Sequence, residues 1–399
     1  MSTFPPLAQQ LAHHFCLDPE VIFLNHGSFG ACPRAILDRQ GEWRRRMERE
    51  PVLFLGRELE HALDEARGKL AEFLGADADD LAFVPNATTG VNTVLRSLAF
   101  QPGDQILITN HEYNACRNAV VAVAERARAE VVVAAVPFPL ASADDVVGAI
   151  MRRVTSKTRL VLVDHITSQT GLLFPIARIV QELLALGIDT MVDGAHAPGM
   201  VPLDLRVLRA AYYTGNCHKW LCAPKGAAFL HVRRDRQAGL LPIAVSHGYN
   251  SPRSDRSRFR LLFDWGGTTD PSAFLCIPDC IQFLCNLLPG GIAALQDHNH
   301  QMACAGRALL CDALAIDRPC PDGMLGSLAA VPLPGAPATA PRPPLYLHPL
   351  QTELFDRHRI EVPIMAWPAA PQWQLRISAQ IYNEPAHYRA LARALASRG

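Results

Sequence analysis

From about residue 58 to 235 the chain alternates short apolar runs, closed by small or polar residues, with longer segments in which apolar positions recur every three or four residues. A strand buried on both faces reads as a continuous apolar run, and a helix covering it keeps one polar side. The alternation therefore predicts a mostly parallel sheet covered by helices, an α/β class. The predicted strands are LAFVP (81–85), QILITN (105–110), VVVAAVP (131–137), RLVLVDH (159–165), TMVDG (190–194), AAYYTG (210–215) and AAFLHV (227–232). Helices are predicted in the gaps, over 58–74, 89–98, 115–128, 142–153 and 175–186. Ligands of such sheets bind beyond the carboxyl ends of the strands, so chemical residues are expected just after the strand runs.

Near residue 290 the pattern changes. Helical sequence leads through short strands and a proline-rich stretch, VPLPGAPATAPRPPLYLHPL (331–350), which reads as a connector inside a smaller lobe because proline removes ladder donors.

Composition narrows the class. Lys and Arg total 38 and Asp and Glu total 38, so no basic field exists to hold nucleic acid or an anionic membrane, and a small-molecule substrate fits better. No run reaches the roughly 18 to 20 apolar residues of a membrane span, and the N-terminus lacks the basic head and apolar stretch of a secretion signal. A cytoplasmic protein is expected. The 11 cysteines are scattered and odd in number, which favours reduced thiols. Cys276, Cys280 and Cys285 suit a buried helix face, and without a second Cys/His pair at ligand spacing no metal is expected.

Three segments carry chemistry. Pro85-Asn86-Ala87-Thr88-Thr89-Gly90 lies between a strand and a helix, where free N–H groups and hydroxyls cradle a phosphate or simply cap the helix. Val192-Asp193-Gly194-Ala195-His196-Ala197-Pro198-Gly199 ends a strand with a carboxylate able to pair with a protonated pyridine nitrogen; the alternative is a capping Asp and a packed His. The third decides between them. In Thr214-Gly215-Asn216-Cys217-His218-Lys219-Trp220, followed by Pro224-Lys225-Gly226, a lysine follows a strand beside His and Trp, a setting that holds an imine-forming amine less protonated than in water.

The order ATT, then DGAHAPG, then HKW with PKG resembles the class V aminotransferase group of fold type I enzymes that use pyridoxal 5'-phosphate (PLP), from about residue 21 to 395. The resemblance implies a large PLP-binding domain (58–288) with a mostly parallel, mixed seven-stranded sheet and a small α+β C-terminal domain (289–399), with residues 1–57 contributing to the small domain and the active site. It implies a Schiff base on Lys219, a pyridine-nitrogen partner in Asp193, His196 and Ser168 near the phenolic oxygen, and a phosphate site made by Ala87, Thr88, Thr89 and His218. Tyr113 in Asn110-His111-Glu112-Tyr113-Asn114-Ala115 matches the ring that stacks on the cofactor, with His111 as second candidate. Thr268, in Trp265-Gly266-Gly267-Thr268-Thr269-Asp270, matches a segment that reaches a neighbouring subunit's phosphate, which implies a homodimer with shared active sites. Arg376 matches the arginine that forks onto a substrate carboxylate.

Within that group the segments Leu24-Asn25-His26-Gly27-Ser28-Phe29-Gly30-Ala31-Cys32-Pro33, Glu50-Pro51 and Arg57-Glu58-Leu59 resemble the isopenicillin N epimerase-like subgroup, which includes sulfoxide lyases of ergothioneine biosynthesis. Asn25 and His26 are then expected at the substrate. No cysteine occurs from Ile360 to Arg376, where desulfurases keep their thiolate nucleophile, so desulfuration through a persulfide is disfavoured. The expected activity is epimerisation at the α-carbon of an amino acid. The alternatives are C–S lysis of the hercynylcysteine sulfoxide lyase type and aminotransfer. A non-enzymatic binding protein is disfavoured because Lys219, Asp193 and Arg376 are all present. Tyr113, His26 and His111 are equal candidates for a second acid, and Met365 and Trp367 either line the substrate pocket or pack in a small-lobe strand.

Overall fold

The structure is a computed structural model and describes residues 7–334 and 347–396. In chain order its strands are β1 (Ile22–Phe23), β2 (Leu81–Val84), β3 (Gln105–Thr109), β4 (Glu130–Ala134), β5 (Thr158–Asp164), β6 (Asp189–Asp193), β7 (Tyr212–Asn216), β8 (Ala228–Val232), β9 (Leu328–Pro332), β10 (Ile360–Glu361), β11 (Ile364–Ala366) and β12 (Trp373–Ser378). The seven predicted strands make one seven-stranded sheet in the order β2-β8-β7-β6-β5-β3-β4, parallel except for β8, which runs against both of its neighbours.

Successive side chains of a strand point to opposite faces, and here each face meets its own core. Leu160 and Leu162 of β5 pack in one cluster, with Ile106, Ile108 and Met191, while Val161 and Val163 pack in the other, with Leu107 and Val192. Burial on both sides is why these strands read as unbroken apolar runs. The interleaved helices Leu59–Leu74, Ala87–Ser97, Asn114–Ala127, Ala143–Met151 and Ile176–Ala185 fall where periodicity placed them. The last turns Ile176, Ile179, Val180 and Leu183 inward, the three-and-four spacing of a single buried stripe. The run expected to continue to residue 137 stops at Ala134, because the Val136 N–H leaves the ladder and donates to Asn110 Oδ1 at 2.8 Å.

The C-terminal region has its own antiparallel sheet, β11-β12-β9. The helices Gly291–Ala313 and Pro385–Ala396 pack together beside it, and Gly306 lets them close: a Cβ there would lie 2.7 Å from the Tyr388 ring. Of the proline-rich connector, Val331–Pro332 end β9, and residues 335–346 lie outside the described residues. The N-terminal strand β1 pairs in parallel with β10, and Ser378 N–H donates to the Leu24 carbonyl at 2.9 Å. This join sets the segment after Leu24 beside Arg376. Among the described residues no single helix is long and apolar enough to cross a membrane.

Candidate active site

Five strands of the large sheet, β2, β3, β5, β6 and β7, end next to the segments singled out above, so the topology gathers those segments at one edge. Register brings them closer. Asp164 pairs with Asp193 across β5 and β6, and Asp193 with Thr214 across β6 and β7.

Lys219 follows β7 in a tight turn. Gly30, at φ 73°, lies against that turn so closely that a Cβ would come within 2.2 Å of the His218 carbonyl. Lys225 donates to the Gly30 carbonyl at 2.8 Å, so the second lysine of the motif is a structural clamp. Lys219 Nζ lies 3.1 Å from His196 Nε2, and Trp220 Nε1–H donates to His196 Nδ1 at 3.2 Å. An indole N–H can only donate, so the neutral imidazole carries its proton on Nε2 and offers it to Lys219. An ammonium cannot accept that bond; a free amine can. In line with this, burial and then the Arg376 charge bring Lys219 down to about 8 from the ordinary lysine range, with Asp193 opposing them. His196 is held well below its usual value by burial first and Lys219 second.

Asp193 is 3% exposed. Its Oδ1 accepts the Ala195 N–H at 2.9 Å and its Oδ2 accepts the Cys116 thiol at 3.2 Å. Burial raises this carboxyl, and the two hydrogen bonds with the Lys219 charge oppose the rise.

At the phosphate candidate, Asn86 caps the helix Ala87–Ser97: its Oδ1 accepts Thr89 N–H at 2.8 Å and Thr89 Oγ1–H at 3.0 Å. Asn216 Oδ1 takes the Ala87 N–H at 2.8 Å. The Thr88 N–H, at the second helical position, has no intrahelical acceptor and remains for a ligand. His218 donates Nδ1–H to the Ala227 carbonyl at 2.9 Å, and burial holds the ring down to about 4. Its Nε2 thus bears a lone pair, and it meets a phosphate oxygen only with an added proton.

Arg376 is buried, its Nη1 facing the carbonyl oxygen of Ser168 and its Nη2 donating to Ser28 Oγ at 3.1 Å. Ser168 Oγ itself is 3.4 Å from Nη1, so the structure sets Ser168 with the guanidinium. Asn25 supports this pair, accepting Ser28 Oγ–H at 2.5 Å and donating to Glu361 Oε1 at 3.1 Å.

The three candidate second acids separate clearly. His26 donates Nε2–H to the Lys219 carbonyl at 3.0 Å and accepts Tyr382 O–H on Nδ1 at 2.7 Å, so it fixes the lysine's backbone and has no free nitrogen. His111 donates Nε2–H to the Val136 carbonyl at 3.2 Å, accepts Thr170 O–H at 2.7 Å, and packs 4.2 Å from the ring of Trp367. Tyr113 caps the helix Asn114–Ala127, is 44% exposed, and has no hydroxyl partner among the described residues. Burial, Cys116 and Asp193 raise its phenol, and the Arg376 charge opposes them. Thr268 is exposed, in the loop before Asp270. All 11 cysteines are unbridged, and Cys280 turns inward from the helix Ile277–Asn286. Asn86 takes the capping role that the sequence left open for it, and Trp220 is the expected neighbour of Lys219; Asn216 and Ser28 were not singled out from sequence, although both lie inside the quoted motifs, and only their hydrogen bonds reveal what they do.

The model for aminotransferase class V matches residues 32–311. This chain belongs to the class V aminotransferase family. It is 37% identical over 395 residues to an isopenicillin N epimerase of Amycolatopsis lactamdurans, covering 95% of each protein. It is 31% identical over 413 residues to a probable chloroplastic L-cysteine desulfhydrase of Arabidopsis thaliana, covering 98% of this chain and 84% of that one. The solved structure of the lyase C-DES, with glycine linked to its PLP cofactor, superposes with a TM-score of 0.79 at 20% identity over 96% of this chain and 98% of that one. The fold is therefore that of the fold type I PLP enzymes, and PLP is the cofactor of this family member. The residues present fit it: a buried amine brought down to about 8 at Lys219, a hydrogen-bonded carboxylate at Asp193, and an open helix N-terminus at Thr88.

Proposed function

We propose that this PLP enzyme inverts the α-carbon of an amino acid, a reaction of the isopenicillin N epimerase type. PLP supplies an aldehyde for the Lys219 amine and a pyridinium that draws negative charge from the α-carbon. Asp193 holds the ring-nitrogen proton, Arg376 orients the substrate carboxylate, and Lys219 takes the α-proton. Inversion also needs a second acid that gives a proton to the other face. The observation that carries this reading is Tyr113: of the three candidates it alone has a polar side-chain group with no partner among the described residues, and it lies in the field of both Asp193 and Arg376. The 37% identity to an isopenicillin N epimerase over nearly the full length supports the same reaction.

A second reading is C–S lysis, in which the same α-carbanion expels a β-sulfur group. The 31% identity to a probable L-cysteine desulfhydrase over 98% of this chain favours it. We infer further a homodimer in which Thr268 reaches the partner's phosphate site, acting in the cytoplasm. The deciding experiment offers holo-protein a panel of L-amino acids in deuterated water and follows α-hydrogen exchange, chirality and pyruvate together. Exchange with racemisation and no pyruvate supports epimerisation. Pyruvate with a released sulfur product replaces it with lysis, and a keto acid formed only with a second keto acid present replaces both with aminotransfer.

A further inference from the structure

Behind Asp193 lies a group of side chains that the proposed reaction does not use. Glu112 is 1% exposed, and neither of its carboxyl oxygens has a hydrogen-bond partner. One of those oxygens, Cys116 Sγ and an oxygen of Asp193 lie within 4.8 Å of one another. The adjacent strand adds Asp164, also buried, with its Oδ2 unpartnered. Three carboxyls and a thiol thus share one buried space around Asp193.

The groups facing this space come from every element around it. The helix Asn114–Ala127 contributes Cys116 and Arg117, β5 contributes Asp164, β6 contributes Asp193, β7 contributes Tyr213, and the following turn contributes Lys219. Arg117 directs Nη2 to the Thr109 carbonyl at 3.1 Å, and the Cys116 thiol is donated to Asp193, so neither supplies Glu112 with a hydrogen bond. Two carboxylates this close and this buried do not both stay charged. The partners decide which keeps the proton. Asp193 accepts two hydrogen bonds and has the Lys219 charge nearby. For Glu112, burial and then the Asp193 charge push the carboxyl well above its usual range, against smaller effects of the Arg117 charge and the Tyr113 backbone.

We propose that Glu112 is a positioning residue that keeps its proton in the resting enzyme, so that Asp193, and not a repelling pair, carries the negative charge presented to the ring nitrogen. The proposal rests on the reading of Asp193 as the ring-nitrogen partner. Its electrostatic consequence is specific. Glutamine at 112 copies a neutral acid in shape and charge, so E112Q leaves the field at Asp193 as it was.

Infrared spectroscopy of apo- and holo-protein at neutral pH reads the proton directly. The expected result is a buried carboxylic-acid carbonyl band in the wild type that E112Q removes, distinct from the band of Asp164, whose carboxyl burial and then the Glu112 charge also push well above the usual range and which D164N removes. The visible-absorbance pH titration of the Lys219-linked cofactor in E112Q is expected within about 0.3 unit of wild type, whereas removing a real negative charge there would lower the midpoint by about a unit or more. Absence of the band in wild type, its persistence in E112Q, or that lowered midpoint would overturn the proposal. Should E112Q not fold, wild-type protein carrying carboxyl-labelled glutamate decides: an isotope shift of the acid band supports the proposal, and a shift confined to carboxylate bands ends it. The apo-protein measurement needs no cofactor, so a Glu112 band without a cofactor on Lys219 would sink the functional reading alone.

Discussion

Ser28 Oγ accepts a hydrogen bond from Arg376 Nη2 at 3.1 Å, although 348 residues separate the two along the chain. The contact continues outward, since Ser28 donates to Asn25 Oδ1 and Asn25 donates to Glu361. A guanidinium is useful to a carboxylate only when its fork is held in one orientation, and this relay from the N-terminal segment holds it.

Removing the Ser28 hydroxyl should therefore weaken substrate binding. A hydrogen bond to a charged group contributes about 1.5–3 kcal/mol, so S28A should raise KM about tenfold or more. The turnover number should change by less than about threefold, because the bond orients the substrate and takes no part in proton transfer. R376K should lose more than S28A, since an ammonium cannot fork. Steady-state kinetics on both variants checks this, and a KM unchanged in S28A would show that the relay orients nothing.

Tyr113 should separate the two halves of inversion. With Lys219 in its proposed role as the base that takes the α-proton, exchange of the L-substrate's α-hydrogen with deuterated solvent should persist in Y113F. Formation of the opposite enantiomer should fall about a hundredfold or more, the usual contribution of a positioned acid. Chiral chromatography beside proton NMR reads both at once. Equal loss of exchange and inversion would return Tyr113 to a stacking role.

The amine of Lys219 has a pH signature. Burial and Arg376 bring it to about 8, and only its unprotonated form attacks an aldehyde. Uptake of PLP by apo-protein, followed by absorbance, should accelerate as pH rises and level off above about 8. A rate still climbing in proportion to hydroxide at pH about 9.5 would indicate an ordinary, solvated lysine.

His231 offers a test of the fold away from the site. It lies in β8, is 5% exposed, and is held down to about 4 by burial, with Asp77 opposing. The unfolded chain takes up this proton near 6.5 and the folded chain does not, so the stabilisation is complete above 6.5 and is lost as pH falls toward about 4. Between pH 7.5 and 5, wild type should lose about 2 kcal/mol more than H231Q. Urea unfolding at the two pH values measures the difference, and parallel losses would contradict the buried neutral ring.

What the sequence made legible follows from period and punctuation. All seven strands of the large sheet were readable because each face of β5 meets a core, and the run therefore has no polar interruption. Asp193 was readable because it ends a strand, and Lys219 and the Asn86 to Gly90 turn because they come just after one. The fates of His26 and His111 were not, since their ring partners Tyr382 and Thr170 stand 356 and 59 residues away. No spacing rule reports such contacts. Glu112 was hidden for a related reason: on paper it is one more charge at a helix start, and only burial beside Asp193 and Asp164 gives it meaning.

Whether the cofactor sits on Lys219 is read by borohydride reduction followed by peptide mass spectrometry. A single pyridoxyl-labelled peptide is expected, modified at Lys219, with loss of the visible absorbance. A label on Lys225 or elsewhere, or an unlabelled Lys219 in protein whose absorbance has been bleached, would contradict it.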